Sequence, residues 1–249
     1  MAANRYQQRT YRDRMVNGPL PAFQVVVGET DLFVHCPEML ADQVQGIVVQ
    51  QRAYIESFIR QHPDFACTLQ PMADPGPAPL IIRNMIRAGK AAGVGPMAAV
   101  AGAVAEAVGL ELLKQTDEIV IENGGDIFLQ ILSPITVGIF AGDSPLSMKI
   151  GLRVYSSGQP IGICTSSGTI GHSLSLGKAD AVCVLSSDCS LADAAATSIG
   201  NRVCCVADIP RAIEFGQAIN GVTGLVVILG SEIGAWGAVE LVPLTGKKG

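Results

Sequence analysis

The stretch from Pro96 to Lys114, PMAAVAGAVAEAVGLELLK, limits the architectures open to this chain more than any other feature. It reads as a helix with Pro96 in its first turn, and its Ala and Gly face lets another backbone approach closely. Such a helix belongs at the centre of a fold. Ala91 to Leu110 is long enough to suggest a membrane span, but it is mostly Ala and Gly, holds Pro96 and carries Glu106, so a buried helix of a soluble protein is expected. A second small-residue helix is expected from about Leu191 to Ile199, and a further helix over roughly 209–219. No convincing internal repeat is present, although two such helices, each reached after a glycine-rich turn, hint at a duplicated unit.

Between these helices the hydrophobic period changes to that of strands. Phe23 to Val27 and Leu32 to Cys36 flank Gly28-Glu29-Thr30-Asp31 and read as a hairpin. Leu40, Val44, Ile47, Val48, Ile55, Phe58 and Ile59 share one stripe, which predicts an amphipathic helix over 38–61 ended by His62-Pro63. A Pro-rich connection at 71–79 follows, so the chain divides into an arm, hairpin and helix over 1–79, packed on a main body over 80–249. Further strand-like runs lie at 117–122, 126–132, 135–140, 149–155, 179–186, 223–229 and 238–243. Short connections make them mainly antiparallel, and the fold class is α+β.

Composition removes several functions. Net charge is −5, and basic residues cluster only at Arg5, Arg9, Arg12, Arg14 and at Arg83, Arg87, Lys90, so nucleic acid is not expected as a partner. The N-terminus is polar and Arg-rich without an apolar core, no membrane partner is expected, and a cytoplasmic location is. Seven cysteines without a CxxC pair and three histidines point to reduced thiols, not to a zinc site or disulfide framework. The acidic balance and small-residue surfaces are compatible with a homodimer.

Four segments could carry chemistry. Asn123-Gly124-Gly125-Asp126 lies between strand runs and reads first as a hairpin turn, with the alternative that its glycines let a ring or phosphate approach while Glu122 or Asp126 accepts a hydrogen bond. Cys164-Thr165-Ser166-Ser167-Gly168-Thr169, running on to His172, reads as a hydroxyl nest for an anion, or as a loop satisfying its own backbone. His172 is a candidate acid/base and Cys164 a candidate thiolate beside it. Ser190 and Asp193 have the spacing of a capping box, whereas Asp193 and Thr197 share a helical face as two hard oxygen ligands for Mg²⁺. Gly93-Val-Gly95-Pro96-Met-Ala98 is formally a G-x-G-x-x-A, but no strand precedes it.

In this order the pieces resemble the ApbE-like superfamily of Mg²⁺-dependent flavin transferases. Asn123 to Asp126 is similar to the family's N-x-G-G-D turn, Thr165 to Gly168 with His172 to its T-S-G and H-I-I-D-P elements, and Ala192-Asp193-Ala194 with Ala196-Thr197 to its A-D-A-x-A-T helix. The resemblance covers roughly 90 to 249 and implies a T-fold-related ApbE-like core, Asp193 and Thr197 as Mg²⁺ ligands and His172 as active-site base. Ser173 to Asp180 replaces the family's D-P-x-T-G, and no A-K-G-Y precedes the NGGD turn. Mg²⁺ is therefore the implied cofactor, and FAD or FMN only an alternative. GPMAAVAGAVAE at 95–106, ENGGDI at 122–127 and CTSSGTIGHSLSLGKADAV at 164–182 match a cytoplasmic ApbE-related subfamily of anaerobic bacteria and methanogenic archaea. That resemblance implies a phosphorylated or anionic small-molecule ligand and assistance to sulfide assimilation into homocysteine with partner proteins. FMN transfer and a noncatalytic ligand-binding or scaffold subunit are the alternatives.

Overall fold

The structure, a computed structural model, describes residues 16–17, 20–156, 158–168 and 176–244. Strands β1 (Val16–Asn17), β2 (Ala22–Val27) and β3 (Thr30–His35) lead into helices α1 (Ala41–Gln61), α2 (Asp64–Cys67) and α3 (Leu80–Ala92). A 3-10 turn over Pro96–Ala99 opens α4 (Val100–Leu112). Strands β4 (Ile119–Asn123), β5 (Asp126–Gln130), β6 (Ile135–Gly138), β7 (Ile150–Val154), β8 (Ile161–Ser166) and β9 (Ala181–Ser186) follow. Helices α5 (Cys189–Gly200) and α6 (Ile209–Gln217) precede β10 (Val222–Leu229), β11 (Glu232–Gly237) and β12 (Glu240–Pro243).

The strands form an eight-stranded sheet, ordered β11-β10-β9-β8-β5-β4-β3-β2, and a four-stranded sheet, ordered β1-β6-β7-β12. Every pairing is antiparallel. The α+β, mainly antiparallel expectation therefore holds. Helices cover one face of the large sheet and the small sheet covers part of the other, which explains why its central strands are apolar at consecutive positions. Side chains alternate between the two faces. Ile119, Ile121, Phe128, Val182, Val184, Leu225 and Val227 join the core under the helices, whereas Val120, Ile127, Leu129, Cys183, Leu185 and Val226 join the core between the sheets.

Both small-residue helices are central. Nearly all of α5 is buried, and it packs on β8 and β9 as well as on α3 and α4. The close approach is legible at single glycines. A Cβ at Gly109 would enter the Phe128 ring, and one at Gly162 would lie 2.5 Å from the Cα of Cys189. Among the described residues no single helix is long and apolar enough to cross a membrane, and α3 with the segment Pro96–Leu112 is bent by 104°.

Several elements differ from expectation. The first hairpin closes through a two-residue turn, Gly28-Glu29, with Val27 opposite Thr30. Helix α1 begins at Ala41 rather than 38, and α3 and β11 fall where the sequence reading placed no element. Gly93 is the left-handed C-cap of α3, at φ 75°, so the G-x-G-x-x-A run follows a helix and has no Rossmann context. Ile161–Ser166 is an interior strand between β5 and β9, so Cys164, Thr165 and Ser166, read as the start of a hydroxyl nest or loop, lie in the sheet.

Glu106 and Ser190 join α4 to α5, the Ser190 hydroxyl donating to Glu106 Oε2 at 2.8 Å. Burial, then the neighbouring Asp188 charge, raises the Glu106 pKa above its ordinary value. A raised carboxyl stabilises the fold while protonated and loses that contribution as pH climbs through the folded-state pKa. Glu106→Gln keeps an acceptor for Ser190 without the charge. Its expected effect is a Tm higher by roughly 1–3 °C at pH 8 that converges on the parent toward pH 4, read by thermal melts across pH.

Candidate functional site

The site is built where the β4–β5 turn, the start of α4 and the middle of α5 meet. Gly124 and Gly125 take φ of 71° and 108°, the left-handed pair that a two-residue hairpin turn between right-twisted strands requires. Asn123 and Asp126 face each other across that turn, and Asp126 is in turn opposite Cys164 of β8. Paired residues of antiparallel strands share a face, so Asn123, Asp126 and Cys164 all look toward the helices. Both the turn and the ligand-approach reading of this segment are compatible with this placement. The turn itself is observed.

Three elements converge on one peptide group. Asn123 Nδ2 donates to the Ala101 carbonyl at 3.0 Å, and the Gly102 N–H on the same peptide unit donates to Asp193 Oδ2 at 2.9 Å. Asp193 thus receives an N–H at the start of α4. It caps a helix, but the neighbouring one. The capping box expected from Ser190 and Asp193 does not form: the N-cap of α5 is Asp188, whose side chain accepts from Leu191 N at 2.9 Å. Ser190 is instead turned to Glu106. Asn123→Ala would leave the Ala101 carbonyl without that donor, and should cost about 1–2 kcal/mol in denaturant unfolding.

Asp193 and Thr197 are half-buried one turn apart on a helix whose Ala192, Ala194, Ala195, Ala196 and Ser198 are buried. Asp126 is buried, and its carboxyl is raised well above the usual range, first by burial and then by the charge of Asp193. The Cys164 thiol and the Thr165 N–H hydrogen-bond to it and oppose the shift. Asp193 is also raised by burial, against the N–H groups of Ala101 and Gly102. Glu122 adds a third negative charge near Asp126, and its Oε1 accepts from Gly125 N at 2.9 Å. Neighbouring carboxylates that oppose each other's ionisation favour the protonated form of one of them.

Among the described residues no three His, Cys, Asp or Glu side chains form a metal cage. The donor set fits Mg²⁺ nevertheless, because that ion keeps several waters and takes one or two protein oxygens beside a substrate phosphate. Asp193 and Thr197 are such a pair.

The hydroxyl nest takes a different form. Cys164, Thr165 and Ser166 are in β8, opposite Val184, Cys183 and Val182, and their backbone groups belong to the sheet ladder. Ser167 and Gly168 follow the strand, and the Gly168 N–H donates to the Ala179 carbonyl at 2.8 Å. Thr169 and His172 lie outside the described residues. Beyond them, Leu176 N donates to Asn201 Oδ1 at 2.8 Å, which ties that side to the residue after α5.

Cys164 lies in the interior. Its side chain is fully buried, 3.6 Å from the Cys189 sulfur, and its thiol also points at the Cys189 carbonyl. Burial, then Cys189 and the carboxylates of Asp126 and Asp193, pushes the Cys164 thiol well above its ordinary pKa. Cys189 is pushed up to about 11, burial and nearby carboxylates overriding its hydrogen bond with Cys164. Burial of this kind favours the protonated thiol, whereas a nucleophile needs the thiolate. Sequence reasoning missed Asn123's tie to α4 and Gly102, whose signal was the Gly in the small-residue helix.

The chain matches the protein family described as AbpE bacteria over residues 12–235. It belongs to that family. A relative from Methanocella arvoryzae, named UPF0280 protein, is 43% identical over 212 residues, covering 85% of this chain and 86% of the relative. Another, from Methanothermobacter thermautotrophicus and also named UPF0280 protein, is 38% identical, with 90% of this chain and 89% of the relative covered. Among solved structures, a mutant of the flavin transferase ApbE from Vibrio cholerae is similar with a TM-score of 0.56 at 12% identity, over 88% of this chain and 97% of that one. The apo flavinyl transferase ApbE from Pseudomonas stutzeri has a TM-score of 0.56 at 13% identity, over 88% and 94%. The chain thus has the ApbE fold, as its sequence motifs imply.

Proposed function

We propose that this protein binds an anionic, phosphorylated small molecule together with Mg²⁺ at the junction of the Asn123–Asp126 turn, α4 and α5. The observation that supports this reading is the placement of Asp193 and Thr197 one turn apart on α5, with Asp193 held by the Gly102 N–H at 2.9 Å and the buried Asp126 of β5 facing the same helices. Asp193 and Thr197 would hold the cation, which supplies charge neutralisation to the ligand's phosphate oxygens. The Gly124-Gly125 turn gives the ligand close access to backbone, and Thr165, Ser166 and Ser167 stand at the end of the adjoining strand. Thr169 and His172 would complete the anion contacts and acid/base function.

FMN transfer from FAD is the second reading, favoured by the fold shared with the flavin transferases over 88% of the chain. Thermal shift with FAD, FMN, ATP and simple phosphorylated metabolites, each with and without Mg²⁺, separates the two. Mg²⁺-dependent stabilisation by a phosphorylated metabolite and none by flavins supports the first. Stabilisation by FAD with Mg²⁺ supports the second, and no response to any anion overturns both.

A contribution to sulfide assimilation into homocysteine is assigned here to ligand binding, not to a Cys164 thiolate. Cys164→Ser is then expected to leave sulfide-dependent homocysteine formation intact. Loss of that activity in a folded variant would restore the thiol mechanism.

A further inference from the structure

We propose that the outward face of α1 is a homodimer interface, on which two copies of the helix pack antiparallel across a two-fold axis. The inward face of α1 is accounted for by Val44, Val48, Ile55 and Phe58, which are buried in the core. Directly opposite runs a second stripe, Asp42, Gly46, Val49, Ala53, Glu56 and Arg60, all exposed. Its steps alternate between four and three residues, which is the spacing of a helix–helix seam. Val49 is 50% exposed at its centre.

Gly46 has no explanation among the described residues. A Cβ placed there meets nothing within 4 Å, and the residue does not need a left-handed backbone. Glycine in an exposed helix interior is disfavoured against almost any other residue. It is useful where a second helix must come close.

The stripe is also complementary to itself. Reversing one helix against another about the middle of α1 sets Asp42 opposite Arg60 of the partner subunit, Gly46 opposite Glu56 of the partner subunit, and Val49 opposite Ala53 of the partner subunit. A two-fold axis makes each pair occur twice, as an isologous contact requires. Helix-dipole preferences alone would favour an acid in the first turn and a base in the last. They do not explain the stripe between, where the one charge, Glu56, is already paired with Arg52 of its own chain at 3.0 Å. Among the described residues neither Asp42 nor Arg60 makes an ion pair.

A single helix pair about 30 Å long is at the small end of specific interfaces, so a concentration-dependent dimer with a dissociation constant on the order of micromolar is expected. Sedimentation equilibrium of the full chain across the micromolar range reads it directly, with circular dichroism confirming that each variant keeps its helix content. Asp42→Arg and Val49→Glu should each weaken the dimer by about tenfold or more. The double change Asp42→Arg with Arg60→Asp exchanges the charges and should restore it. A monomer at every concentration overturns the proposal, as does a dimer indifferent to both single changes or a double variant no tighter than Asp42→Arg alone.

Discussion

Asp193→Asn is expected to abolish Mg²⁺-dependent ligand binding while leaving the protein folded. The amide oxygen of Asn can still accept from Gly102 N, so the tie between α4 and α5 survives. What disappears is the carboxylate that the cation needs. A ligand at about 100 times its dissociation constant adds roughly 2.7 kcal/mol to the parent, a Tm rise of about 5–10 °C for a chain of this size, and the variant should show none of it. Without ligand the change acts in the opposite direction. Asp126 and Asp193 have folded-state pKa values raised above their ordinary ones, so they stabilise the fold while protonated. That stability is lost as pH rises from about 4 toward neutrality, and Asp193→Asn should flatten the decline and raise the ligand-free Tm at neutral pH. Thermal melts of both proteins across pH, with and without Mg²⁺ and ligand, check both halves.

The second large effect is steric. Gly102→Ala places a methyl group against the Cys189 carbonyl and 2.9 Å from the Asp193 Cβ. Neither neighbour is the far end of a flexible side chain, because one is backbone and the other is fixed at the root of Asp193. Helices α4 and α5 must move apart. Overpacking of this kind costs about 1–3 kcal/mol and should lower Tm by roughly 2–12 °C. It should also weaken Mg²⁺-dependent binding, since the Gly102 N–H that holds Asp193 moves with the backbone. An unchanged Tm would mean that the two helices are not packed as described.

The features legible in the sequence are those set by local chemistry. The Gly124-Gly125 turn between Asn123 and Asp126 follows from residues that tolerate left-handed backbone, and the small-residue helices follow from an Ala and Gly face suited to close packing. The interior strand Ile161–Ser166 was hidden for a tertiary reason. Gly162 is needed because Cys189 comes so near, and Cys164 faces Asp126, so the run is too small and polar to resemble a strand in isolation. Capping shows the same limit. Ser190 and Asp193 satisfy the local pattern, yet Asp188 caps α5 and Asp193 serves α4, a partner 91 residues away in the chain. Helix α3 had no such disguise: Ile81, Ile82, Met85 and Ile86 are spaced for one buried face. Asp193 and Thr197 could be named from the A-D-A-x-A-T pattern, but the second raised carboxyl, Asp126, needed the sheet register to be seen beside them.

Mn²⁺ binding followed by electron paramagnetic resonance, with and without ADP or FAD, tests the central claim most directly, because Mn²⁺ can substitute for Mg²⁺ at an oxygen site. The account predicts one bound ion per chain whose affinity rises when the phosphorylated ligand is present, and loss of that ion in Asp193→Asn and Thr197→Ala. A ligand that binds equally well in the presence of EDTA, or an ion retained by both variants, would contradict it.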